Sequence, residues 1–352
     1  MQIQRKTCDV RKSYETNERI NLTQWMSLLP HKVSLLPINR LAIPGSHDSG
    51  SYWFDKSQPV APDQPSFVRT VSVFIKPVVA KVLGNWALTQ RLDVTQQLRS
   101  GARYLDIRTA YLGKKDEFFI VHGLYGHRLV DIFTQITSFL HSHPKEVVIL
   151  HLQYCWDMDK TLHKRYMRVI KQLLGDRIYP RSSNGAASES FSRVSLNDIW
   201  VKGKQLILIV GDHCPGLMEH TEAEDTELIW QPHSIYSEWF KTDSVSRLIQ
   251  NLTDHSAKQK TEALNVFQAI LTPRRSTVAY DPLGSLEKYI EARNIGEVGC
   301  WLERKYDARQ RDVNIVMFDF IDVYLARDVV RLNRILEEYG GIRSSRFSRE
   351  VH

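Results

Sequence analysis

Leu41-Ala42-Ile43-Pro44-Gly45-Ser46-His47-Asp48-Ser49 is the stretch that decides the fold. A short apolar run closing on Pro-Gly and then His-Asp-Ser reads as a buried strand that stops in a tight turn. Two later segments repeat the arrangement: Tyr104-Leu105 runs into Asp106-Ile107-Arg108, and Phe118-Phe119-Ile120-Val121 runs into His122-Gly123. Two histidines, two carboxylates and one arginine therefore lie at or near strand ends. That is where α/β barrels and open α/β sheets gather their reacting groups. Two histidines can serve as base and acid, and an arginine supplies fixed positive charge for a phosphate. These parts suffice to break a phosphodiester without a metal.

Outward from these segments, apolar runs alternate with helical patterns. Strands are expected at residues 41–46, 103–109, 118–122, 147–153, 205–212, 228–231, 266–272 and 314–320. Amphipathic helices are expected at 129–141, 160–174, 245–255 and 283–293, with another at 328–338. The alternation predicts a single-domain α/β fold with a parallel sheet, and eight strands in this order suggest a closed (β/α)8 barrel. The link from Ser49 to Thr95 is too long for a simple crossover and is expected to carry its own helix as a lid or rim. Residues 181–192, rich in Ser, Asn and Gly, read as a surface loop. The expected organisation is a flexible N-terminal segment at 1–24, a barrel domain at 25–340 and a basic C-terminal tail at 341–352.

The 352 residues are 42% apolar and 25% charged, ordinary values for a globular chain. Cys8, Cys155, Cys214 and Cys300 are scattered, without metal-ligand spacing, which suits a reducing compartment. The polar start, Met1-Gln2-Ile3-Gln4-Arg5-Lys6, is not a secretory signal, and Gln2 excludes N-myristoylation. No uncharged apolar stretch is long enough to span a bilayer. A net charge of +7 favours anionic partners, and no nucleic-acid motif accompanies it. A cytoplasmic location with peripheral contact at membranes is expected.

The four segments 41–49, 97–108, 119–123 and 144–153 resemble the X domain of phosphatidylinositol-specific phospholipases C, and most nearly the X-domain-only eukaryotic proteins, the PLCXD family. They occur in the family's order and approximate spacing, and the resemblance spans about Trp25 to about Arg334. It implies an irregular TIM-type (β/α)8 barrel that cleaves a phosphoinositide at a membrane surface. His47 would be the general base, taking the proton of the inositol 2-hydroxyl. His122 would be the general acid for the departing diacylglycerol, with Asp48 holding it protonated. Asp319, in Val316-Met317-Phe318-Asp319-Phe320, would fix the His47 tautomer, with Asp322 as its rival.

Arg108 carries the most discriminating information. Calcium-dependent relatives have an acidic triplet at this strand; here the triplet is Asp106-Ile107-Arg108. Asp48 replaces the family's asparagine, and Gln153 stands where those relatives have glutamate and bacterial relatives lysine. A hard cation wants several oxygen ligands with negative charge among them. The pattern implies no metal and no cofactor, with Arg108 binding phosphate oxygens instead. Gln153 and Asp212 are the candidate contacts to the headgroup ring, and the missing basic residues argue against multiply phosphorylated inositol.

Other features have plainer readings. The histidines at 141, 143 and 151 lack carboxylate or cysteine partners at ligand spacing. The basic run from Lys160 to Arg181 reads as an exposed crossover-helix face. The segment 67–88, ending at Trp86, fits either an interfacial membrane helix or a core-packed one. Tyr52-Trp53-Phe54 would form a rim or pack the pocket. Two other functions compete with the enzyme: a lipid-binding module that has lost efficient turnover, and a glycerophosphodiester phosphodiesterase, whose acidic metal cluster this sequence lacks.

Overall fold

The computed structural model describes residues 20–70, 75–181, 190–293 and 296–339. Its strands are β1 (Ile43–Ser46), β2 (Tyr104–Leu112), β3 (Glu117–His122), β4 (Leu124–Arg128) and β5 (Val148–Trp156). They continue with β6 (Leu206–His213), β7 (Ile229–Trp230), β8 (Ile235–Ser237), β9 (Leu264–Ala269) and β10 (Ile315–Phe318). The sheet order is β7-β6-β5-β2-β1-β10-β9-β8, and every neighbouring pair along it is parallel. Read around the sheet, this is the sequential strand order of an irregular TIM-type barrel.

Two expectations need correction. The strand at 118–122 is not a barrel strand: β3 pairs antiparallel with β2 and β4 as a hairpin on the rim. The eighth parallel strand is instead β8, three residues long and too short to register as an apolar run. Nor is the barrel closed by hydrogen bonds. Among the described residues β7 and β8 are not paired, and only the 3-10 turn Pro232–Ser234 joins them where a helix is usual.

Side-chain alternation positions the site. Val148, Leu150 and Leu152 of β5 face outward, packing with Phe133, Ile136 and Ile170 of the helices Leu129–Ser142 and Lys160–Leu174. Ile149 faces inward with Ile207, Ile209, Ile315 and Met317. Each such fully buried aliphatic side chain contributes roughly 1.5–3 kcal/mol. Strand period is two, so the next inward positions fall at the C-terminal ends of the strands. Gly45 of β1 is required there: a Cβ would meet Cδ1 of Tyr104 at 2.9 Å. Helix starts are set by side-chain caps just past the strand ends. Asp159 accepts from the N–H of Leu162, and Asp322 from those of Tyr324 and Leu325.

The long link after β1 carries the helices Ser66–Arg69, Lys76–Trp86 and Val94–Arg99. In the second, Ala80 and Gly84 are buried while Ile75 and Val78 beside them are exposed, so this segment has both a packed face and a free one. Val71 and Phe74 of that segment lie outside the described residues, as do residues 1–19, most of the 181–192 loop and the 341–352 tail. Residues 20–24, expected in the flexible segment, are tied down: Nη2 of Arg103 donates to the carbonyls of Leu22 and Thr23. The basic crossover helix is a solvated face, with Lys164 paired to Glu222 and Arg165 to Asp116.

Candidate active site

His47 follows β1 directly. Its Nδ1 lies 2.7 Å from Oδ1 of Asp319, the residue after β10, and its Nε2 lies 2.8 Å from Nη2 of Arg108 on β2. A guanidinium only donates, so Nε2 accepts and the ring proton sits on Nδ1, donated to Asp319. Asp322 caps the next helix, leaving Asp319 as the partner of His47.

Asp48 is the hub. Its backbone is left-handed, with φ of 42°, a conformation aspartate tolerates better than most residues. The turn swings its carboxylate inward. Oδ1 lies 2.5 Å from Nε of Arg108, and Oδ2 lies 3.4 Å from Nε2 of His47 and 3.5 Å from Nδ1 of His122. Asp106, fully buried one inward position below Arg108, accepts from Nη2 of Arg108 at 3.1 Å and from the N–H of Asp48 at 3.2 Å. His122 donates from Nδ1 to the carbonyl of Ala87 at 2.7 Å.

A β-bulge completes the arrangement. Ile107 pairs with Leu152 but Arg108 pairs with Tyr154, leaving Gln153 as the extra residue of β5. Oε1 of Gln153 accepts from Nη2 of Arg108 at 3.3 Å. The shifted register places the Arg108 guanidinium over the Tyr154 ring, 5.2 Å from its centre. Tyr154 stacks in turn on His213, with ring centres 4.2 Å apart and 5° between planes.

Electrostatics follow from burial and these contacts. Burial works against a charged imidazole at His47, but Asp48 and Asp319 outweigh it, so its pKa lies above the ordinary value while Arg108 pulls it down. Burial likewise opposes ionisation of Asp106, yet Arg108 and His47 hold its carboxyl below the usual range. For Arg108, Asp106 and Asp48 overcome burial and fix the guanidinium charge more firmly. His151, buried one inward step below Gln153 and hydrogen-bonded to the Tyr104 hydroxyl at 2.7 Å, is pushed down to about 4 by burial.

These groups open into a cavity of about 580 Å³. His47, Arg108, His122, Gln153 and Asp319 line it, while Asp48 and Asp106 lie buried beneath. Asp212 does not join them. It is exposed at the end of β6, and strand alternation gives the inward place to His213. Sequence reasoning also missed Tyr154, Ser237, Trp239 and Gln268 of the lining, and the brace Thr89-Gln90. Nε2 of Gln90 donates to the carbonyls of His47 and Phe318, at 2.8 and 3.1 Å, tying the turns after β1 and β10 together. Period-two continuation from the apolar strand residues was the available signal for His213 and Gln268.

Donor atoms of His47, Asp48 and Asp106 lie within 4.8 Å of one another, the spacing of a cation site. They do not fit one. The Arg108 guanidinium already bonds both carboxylates, and a divalent ion there would abut a fixed positive charge.

Fold and site together define a phospholipase C-like α/β barrel. A family model described as "Phosphatidylinositol-specific phospholipase C, X domain" matches residues 81–210. Among similar proteins, the Mus musculus PI-PLC X domain-containing protein 2 is 33% identical over 328 residues, 92% of this chain and 91% of that protein. The Homo sapiens PI-PLC X domain-containing protein 3 is 30% identical over 331 residues, 93% of this chain and 98% of that one. The phosphatidylinositol-specific phospholipase C of Listeria monocytogenes has a similar fold, with a TM-score of 0.63 at 20% identity, over 89% of this chain and 99% of that one. The chain belongs to the PI-PLC X domain-containing protein family.

Proposed function

We propose that this protein is a metal-independent phosphoinositide phospholipase C, a phosphoric diester hydrolase acting at a membrane surface. The observation that carries the reading is the 2.8 Å contact between Nε2 of His47 and Nη2 of Arg108, which joins a base to a phosphate-binding cation. A phosphate arriving between them draws the guanidinium onto its oxygens and frees the Nε2 lone pair. His47 then takes the proton of the inositol 2-hydroxyl, whose oxygen attacks phosphorus. The phosphorus–oxygen bond to diacylglycerol breaks, and His122 protonates the departing oxygen through Nε2, its Nδ1 being held by Ala87. Asp319 orients His47 and stabilises the imidazolium; Asp48 serves both Arg108 and His122; Asp106 anchors Arg108 and the Asp48 turn. Products are diacylglycerol and a cyclic inositol phosphate that water can open. Gln153 is the proposed ring contact, and His213 replaces Asp212 in that role.

Peripheral membrane contact belongs to the same reading. Phe67, Val78, Trp239 and Tyr280 are exposed, and Trp239 also lines the cavity. No helix among the described residues is long and apolar enough to cross a membrane. Cys155, Cys214 and Cys300 are free thiols, which suits the proposed cytoplasmic setting. The proposed domain boundaries are the barrel from about residue 20 to 340 with segments outside it.

A second reading, a lipid-binding module with little turnover, is favoured by one observation. Among the described residues Arg108 is the sole Lys or Arg of the lining, and two buried carboxylates already neutralise it. The deciding experiment measures release of water-soluble inositol phosphate from phosphatidylinositol in detergent micelles by phosphorus NMR. Wild type should turn over and His47→Ala should not. Vesicle binding without turnover by wild type would establish the module instead.

A further inference from the structure

Two cysteines sit directly behind the aromatic stack of the site. Tyr154 of β5 and His213 of β6 are register partners. Cys155 follows Tyr154 on β5 and Cys214 follows His213 just past the end of β6, and the two side chains pack in the same outer core cluster. Parallel strands run about 4.8 Å apart, and a disulfide needs Cα atoms about 4.4–6.8 Å apart with Cβ vectors converging. The two thiols differ in access. Cys155 is half-buried, and its sulfur accepts from Oγ1 of Thr109; Cys214 is buried at the start of the helix Pro215–His220. Burial pushes the Cys214 thiol well up. Neither thiol has a part in the proposed phosphodiester chemistry.

We propose that Cys155 and Cys214 are a redox modification site, oxidised by a hydroperoxide to a reversible disulfide that cross-links the ends of β5 and β6. The Cys155 thiolate attacks the peroxide, the O–O bond breaks, and the alcohol leaves after taking a proton. Cys155 is then a sulfenic acid. The Cys214 sulfur attacks that sulfur, an S–S bond forms, the S–O bond breaks, and the hydroxide leaves as water with the Cys214 proton. Two thiols lose two electrons and the hydroperoxide gains them. The cross-link draws Cys155, and with it Tyr154, toward β6. Tyr154 carries the Arg108 guanidinium on its face, so the phosphate-binding cation moves with it. Misplacing a catalytic group by about 1 Å can cost around 100-fold in rate.

The test treats the full chain with hydrogen peroxide, blocks remaining thiols with N-ethylmaleimide and maps a non-reduced digest by mass spectrometry. The expected product is a Cys155–Cys214 linked peptide lighter by two hydrogens and lost on adding dithiothreitol. Cys155→Ser and Cys214→Ala should each abolish it; Cys300→Ser should not. Cys155 accumulating as sulfinic acid without the link, or linking instead to Cys8, Cys300 or a second molecule, would overturn the proposal. The rate arm rests on the phospholipase reading. Phosphatidylinositol turnover should fall at least about tenfold on oxidation and recover with reductant, and unchanged turnover in the cross-linked protein would overturn the control it exerts. Absence of turnover in both states would count against the phospholipase reading, while the peptide map would still decide the modification site.

Discussion

Arg108 donates to Nε2 of His47 across 2.8 Å, so the proposed base holds its lone pair against the proposed phosphate-binding cation. On the proposed function, a free base is thereby coupled to a bound phosphate. The coupling depends on Asp319, whose contact at Nδ1 selects the tautomer with its lone pair on Nε2.

If His47 and His122 act in one concerted proton exchange, either alanine substitution should lower turnover by roughly 10²–10⁴-fold. The double substitution should cost little more, because residues acting as a unit are not additive. Steady-state assays of the three variants on phosphatidylinositol micelles measure this. Fully multiplicative losses would contradict a shared step.

The pH profile has a definite sign. His47 works as a base only when neutral, and its pKa is raised, so activity should climb with pH through a midpoint above 6.5. Asp319→Asn removes a carboxylate that raises this value and should move the midpoint down while slowing turnover. Arg108→Gln removes the cation that lowers it and should move the midpoint up. Profiles of kcat/KM for the three proteins test both directions, and a shared midpoint would sink the assignment of His47.

The exposed apolar rim should matter for lipid surfaces alone. Phe67→Ala with Val78→Asp should weaken sedimentation with phosphatidylinositol-containing vesicles several-fold, at about 0.8 kcal/mol per lost buried methylene. Turnover of a short-chain soluble substrate should be unchanged, since neither residue lines the cavity. Equal loss on both substrates would assign these residues a structural role.

Much of this was legible before the structure. His47, Asp48, Asp106, Arg108, His122 and Asp319 all converge, because each ends or follows an apolar run that the barrel turns toward one mouth. Gln153 lines the cavity, but the bulge that aims it was not visible, since a bulge changes register without changing composition. The histidine at 122 misled on topology. Its strand is apolar like a barrel strand, yet β3 is a rim hairpin, and pairing direction is not written in an apolar run. Asp212 lies outside the cavity lining because the strand's period gives the inward position to the residue after it. Trp239 and the Thr89-Gln90 brace come from loops, where no periodicity marks a buried or facing residue.

Metal independence is the central claim, and turnover of phosphatidylinositol in excess chelator tests it most directly. Wild-type activity should be the same with and without EDTA, because Arg108 supplies the charge that calcium would bring. Arg108→Asp should lose about 3–4 kcal/mol of transition-state stabilisation in EDTA, a fall of several hundred-fold. Calcium should restore part of that loss through the carboxylate added beside Asp48 and Asp106. Wild-type activity that EDTA abolishes and calcium specifically restores would contradict the account.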